Sequence, residues 1–260
     1  MLENLDILDH RHVDFVSEAM RDGRVSLAVS DICRADRPNQ VFYRECLTRL
    51  TDRDGGLRDG RDFVPILDAF GETPTFDRHV LGLVFSQLEA NPQLVLGCDF
   101  SADGLFNREA CRAVLSFVGN HSHLASRLVL EFAETTTLQG LSFARGAIAD
   151  LRAMGCRVAL DGFGTGFASP RLIQLIDFDI VKIDRLFLDD NRPSPDGRDS
   201  LAHIVNFALS FAPMVVVQGV ETKPQIAQAS RTGATHFQGD LMSTRLAPHA
   251  GSDTEATRSA

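Results

Sequence analysis

"VSLAVSDICRADRPNQVFYREC", residues 25–46, decides how the chain folds. Two β-rich runs, 25–32 and 41–46, flank an eight-residue gap, "CRADRPNQ". Parallel neighbours need a crossover of a dozen or more residues, so these two strands are expected to be antiparallel. Further β-rich runs follow at 94–100, 127–133, 157–163, 179–185, 214–220 and 235–240. Between them, "DRHVLGLVFSQLEA" (77–90), "LSFARGAIADLRAMG" (141–155) and "DSLAHIVNFALSFA" (199–212) repeat apolar residues at helical spacing, with Gly155 placed to cap the second. Eight strands alternating with helices over ~220 residues predict an α/β fold, a TIM-like (β/α)8 barrel whose first strand is antiparallel. Residues 1–23 read as an additional N-terminal helix, there for a contact or to close the barrel's lower end. Residues 24–247 form the barrel domain and 248–260 a disordered tail. "LTDRDGGLRDGRD" (50–62) reads as an exposed loop.

Composition narrows the function. The 260 residues are 44% hydrophobic and 23% charged, as in ordinary globular proteins. A formal net charge of -9 argues against a sequence-independent grip on DNA or RNA phosphates. An anionic ligand would need metal ions or local Lys/Arg. The five cysteines contain no CxxC pair, and Cys98 and Cys111 are among those in apolar runs, so reduced, buried thiols are expected. The chain has no signal-peptide pattern and no apolar run long enough to span a membrane, which predicts a cytoplasmic protein.

In a barrel of this kind, chemistry collects at the C-terminal ends of the strands. The residues expected there are Glu45, Asp99, Glu131, Asp161, Lys182 with Asp184, Gln218 with Glu221, and Gln238. Carboxylates converging on one rim repel unless a divalent cation neutralises them. The loop "DGFGTGF" (161–167) is not a nucleotide-binding GxGxxG, because its last glycine would have to stand at Phe167. "HSH" (121–123) has no third ligand at zinc spacing and reads as a solvated loop.

These segments resemble an EAL domain, the module that hydrolyses cyclic di-GMP in bacteria. The resemblance spans 24–247 in "ECLTR" (45–49), "CDFS" (98–101), "LEFAE" (130–134), "DGFGTGF" (161–167), "VKIDRLF" (181–187), "VQGVET" (217–222) and "FQGDLMS" (237–243). It implies Mg2+ or Mn2+ held by Glu45, Asp99 (Asn in the family), Glu131 and Asp161. It also implies a water positioned by Lys182, a glycine loop steadied by Glu134, retained Glu221, and ligand contacts from Arg49, Asp99 and Gln238. A second ion would share Asp161 and need two more carboxylates, where this chain has Gly162 and Gln218. The second metal site therefore reads as lost. "AVSDI" (28–32) also lacks the family's Gln-Pro-Ile, and Asp240 replaces an aromatic.

The resemblance, with these departures, implies a degenerate EAL domain with little or no hydrolysis. It would act as a cyclic di-GMP receptor or as a module contacting a signalling protein, with a homodimer in view. The alternatives are a slow metal-dependent phosphodiesterase giving linear pGpG, and a scaffold that needs no nucleotide.

Overall fold

The computed structural model describes residues 2–101, 107–133, 141–165 and 169–242. Nine strands form one sheet: β1 (Val25–Arg34), β2 (Val41–Thr51), β3 (Leu57–Asp59), β4 (Leu96–Phe100), β5 (Leu128–Ala133), β6 (Arg157–Phe163), β7 (Ile180–Ile183), β8 (Met214–Val217) and β9 (His236–Gln238). The order is β1-β9-β8-β7-β6-β5-β4-β2-β3, and β1 also pairs with β2, which closes an eight-strand barrel with β3 appended at β2. β1 is antiparallel to both neighbours, β2 and β9, and β2 and β4 through β9 run parallel. The short gap at 33–40 thus does what its length requires.

The helices described are α1 (Leu2–Arg21), α2 (Val64–Ala69), α3 (Thr73–Ala90), α4 (Arg108–Asn120), α5 (Ser122–Ala125), α6 (Leu141–Ala153), α7 (Ser169–Leu175), α8 (Leu186–Asp189), α9 (Ser200–Leu209) and α10 (Lys223–Ser230). Local signals set their ends. Asn107 accepts from Glu109 and Ala110 at the start of α4, Asp199 accepts from Ala202 at α9, and Thr222 with Gln225 forms a capping box on α10. Gly155 takes φ +102 just past α6, the left-handed position its glycine predicted. The main core lies between the barrel wall and these helices, from Val80, Leu81 and Val84 round to Leu201 and Val205. All five cysteines are free and buried, as expected. Among the described residues no helix is long and apolar enough to cross a membrane.

Two expectations change. Residues 50–62 are not simply loop: β2 runs on to Thr51, the chain turns at Asp52–Gly56, and β3 returns antiparallel to β2. Asp54-Gly55 is a hairpin turn signal that the surrounding charges concealed, and Gly55 takes φ +84. Helix α1 does not close the lower end. It flanks the wall, touching α2 and β2, with Val16 and Ala19 buried and Glu18 paired to Arg53 at 2.8 Å. Phe42 packs against the interior of the barrel, its ring 4.9 Å from that of His236 and beneath the Arg157 guanidinium. The tail at 248–260 lies outside the described residues.

Candidate metal centre

The barrel interior is built in layers, because alternate residues of each strand point inward. An apolar layer of Ile32, Tyr43, Val129, Ala159, Ile180 and Val216 fills the middle. Two residues further along each parallel strand, the inward positions are Glu45, Glu131, Asp161, Lys182 and Gln218, and Asp99 and Gln238 take the same places on β4 and β9. On the reversed β1 the equivalent position is two residues earlier, Ser30. Every strand of the barrel contributes one polar side chain to a ring above an apolar floor.

Lys182 holds this ring together. Its ammonium is fully buried and contacts Glu131 Oε2 at 2.5 Å, Glu45 Oε2 at 2.9 Å and Asp161 Oδ1 at 2.9 Å. Burial alone would depress this ammonium. Asp161, Glu131 and Glu45 together outweigh it and hold Lys182 well above the usual lysine range. Burial lifts the Glu131 carboxyl to about 8, with Lys182 opposing and Glu45 and Asp161 adding to the rise. Asp99 is pushed well above the carboxylate range by the protein around it and then by Glu45 and Glu131. Its side chain is nevertheless exposed to water, which tempers the first of these causes.

Gln238 Nε2 donates to Ser30 Oγ at 3.1 Å and to Glu45 Oε2. Gln218 Nε2 donates to Asp161 Oδ1 at 2.8 Å. The same Asp161 oxygen therefore accepts from the Gln218 amide and is ion-paired with the Lys182 ammonium. Gly97, beneath Asp99, makes the space for Glu131, since a Cβ there would overlap Glu131 Oε1 and the Tyr43 ring.

The sequence-predicted residues divide accordingly. Glu45, Asp99 and Glu131 present carboxylate oxygens within 4.8 Å of one another, while Asp161 joins them through Lys182. Gly162, the last residue but one of β6, takes φ +67, and a Cβ there would meet only Thr165 Oγ1 at 3.9 Å. Glu221 stands apart at the rim, 3.4 Å from Arg185. Arg49 projects beyond the mouth on the extended β2, opposite Asp59 of β3. Glu134 lies outside the described residues. A cleft of about 290 Å3 opens over the ring between Ser30, Asp161, Asp184, Gln218, Glu221 and Asp240. Sequence reasoning missed Ser30 and Asp59. Ser30 was recoverable by counting backwards along a strand already expected to be reversed.

The trio fits a hard divalent cation. All its donors are carboxylate oxygens, and Glu131 Oε1 is buried with no hydrogen-bond partner. Such an ion would polarise a bound phosphate and lower the pKa of a bound water. Glu45, Asp99 and Glu131 would hold it, with Lys182 keeping two of the three carboxylates in position.

The EAL domain model matches residues 15–245. The chain belongs to the EAL domain family. It is 27% identical over 204 residues to the "Probable cyclic di-GMP phosphodiesterase PdeA" of Escherichia coli, covering 77% of this chain and 28% of PdeA. It is 28% identical over 193 residues to an uncharacterized protein of Mycobacterium tuberculosis, covering 72% of this chain and 31% of that protein. The EAL domain thus spans under a third of either relative's length. Among solved structures, Vibrio cholerae LapD superposes with a TM-score of 0.80 at 21% identity, covering 90% of this chain and 57% of LapD. The Xanthomonas citri FimX EAL domain in complex with c-diGMP superposes at 0.77 and 19% identity, covering 92% and 94%. These likenesses support the closed barrel with mixed strands.

Proposed function

We propose that this EAL domain binds cyclic di-GMP with little or no hydrolysis and works as a receptor or protein-contact module in cyclic di-GMP signalling. The observation that carries the reading is the treatment of Asp161. The carboxylates that a second ion would need beside it are replaced by Gly162 and Gln218, and the Gln218 amide donates to Asp161 at 2.8 Å. A glutamate at 218 would repel Asp161 unless a cation lay between them, whereas glutamine satisfies Asp161 without one. Lys182 adds an ion pair to the same oxygen at 2.9 Å. A single divalent ion at the trio would still leave net negative charge facing a dianionic ligand, without a second ion to help activate water.

A slow, metal-dependent phosphodiesterase is the second reading. The trio of Glu45, Asp99 and Glu131 favours it, because the orphaned Glu131 Oε1 suits one cation. Calorimetric titration with cyclic di-GMP, in Mg2+ and again in EDTA, tests the receptor reading. Micromolar or tighter binding with the dinucleotide recovered intact is expected. Absence of heat in both buffers from folded protein would refute it.

A further inference from the structure

We propose that Asp59 is a built-in competitor for Arg49 and thereby sets how tightly the site takes a phosphodiester ligand. The proposal rests on the receptor reading above and on the ligand contact that the family resemblance implies for Arg49. Arg49 lies four residues beyond Glu45 on the same face of β2, on the part of the strand that overreaches the barrel. The antiparallel pairing of β3 places Asp59 directly across from it, so the two side chains share a face.

The pair is close but poorly made. Arg49 Nε is 3.3 Å from Asp59 Oδ1, yet it is buried and forms no hydrogen bond. A guanidinium binds carboxylate or phosphate strongly only when its N–H groups align with the oxygens. Both side chains are 43% exposed, and the other Asp59 oxygen lies 3.4 Å from Arg61. Asp59 thus neutralises Arg49 without satisfying it, and an arriving phosphate oxygen can take its place at the cost of breaking a weak ion pair.

The fold keeps the competitor in position. The Asp59 amide donates to the Asp62 carboxylate at 3.3 Å, which fixes the turn after β3. Gly60 packs so closely on Thr48 that a Cβ there would overlap its Oγ1. The β3 edge is therefore held against β2 rather than swinging free of Arg49.

The test is calorimetric titration of the whole chain with cyclic di-GMP in Mg2+, comparing wild type, Asp59→Asn and Asp240→Asn. Asp240 is an exposed carboxylate of the rim cleft, so its variant reports the general field there. Circular dichroism confirms folding in each case. Asp59→Asn is expected to tighten binding about two- to fivefold, the scale of an exposed ion pair, with the gain shrinking at high salt. Asp240→Asn should give a smaller change. Unchanged affinity in Asp59→Asn, or equal gains in both variants, would overturn the proposal and leave the receptor reading intact. Absence of binding in both wild type and Asp59→Asn would overturn the proposal together with the receptor reading.

Discussion

Replacing Lys182 with methionine should be among the most damaging single changes in the barrel. Methionine keeps most of the side chain's volume and removes the charge. Lys182 and Glu131 are fully buried, and Lys182 makes three carboxylate contacts between 2.5 and 2.9 Å. Without the ammonium, Glu45, Glu131 and Asp161 face one another uncompensated. Removing one partner of a buried pair costs about 3–5 kcal/mol, because the remaining charge stays desolvated. In a domain of this size that corresponds to a fall in Tm of about 6–20 °C. The deficit should depend on pH. Glu131 is left behind with a folded pKa that burial raises above its unfolded value, so protonation relieves it at low pH and the deficit grows as pH rises above about 4.3. Mg2+ should recover part of the loss, since the trio can exchange an ammonium for a cation. Urea melts at pH 5 and pH 8, each in EDTA and in Mg2+, measure all of this. A deficit under about 1 kcal/mol at pH 8 in EDTA would refute the claim that Lys182 neutralises the ring.

Two further outcomes are expected. Burial and then Arg34 hold the His236 imidazole down to about 4, with Asp36 opposing, while Thr235 and the Phe42 ring occupy its near surroundings. A depressed base favours the neutral form in the fold, so its stability contribution is complete above about 6.5 and is lost as pH falls towards 4, by up to about 3 kcal/mol. His236→Gln should flatten that part of the pH–stability curve, and an unchanged slope between pH 6.5 and 4 would contradict the assignment. Gly97→Ala should cost about 1–3 kcal/mol, read from a urea midpoint, because its Cβ would enter the space of Glu131 and Tyr43.

Much of the architecture was legible in the sequence because chain length constrains topology. The eight residues at 33–40 could not cross over, so β1 had to be reversed. The ring was legible because strand ends in such a barrel converge, which placed Glu45, Asp99, Glu131, Asp161, Lys182, Gln218 and Gln238 near one another. The relations among these side chains were not legible. That Lys182 sits among three carboxylates, and that Asp161 reaches the trio only through it, depends on side-chain reach and layer height. The β3 hairpin was masked by charge. Pairing with β1 along its whole length carries β2 to Thr51, and this exposes an edge that β3 then takes. The Arg49–Asp59 pair follows from that extension and could not be read from the spacing of the two residues.

The most direct test of the account compares the conversion of cyclic di-GMP to linear pGpG by wild type with that by the Gly162→Asp, Gln218→Glu double variant, each in Mg2+ and in Mn2+. Space exists at both positions, since a Cβ on Gly162 meets only Thr165 Oγ1 at 3.9 Å and glutamate matches glutamine in size. At φ +67 aspartate is tolerated at a cost of about 1 kcal/mol. The account predicts little or no product from wild type and a rate at least about tenfold higher in the double variant, equivalent to 1.4 kcal/mol or more of barrier. Robust hydrolysis by wild type that the two added carboxylates fail to raise would contradict it.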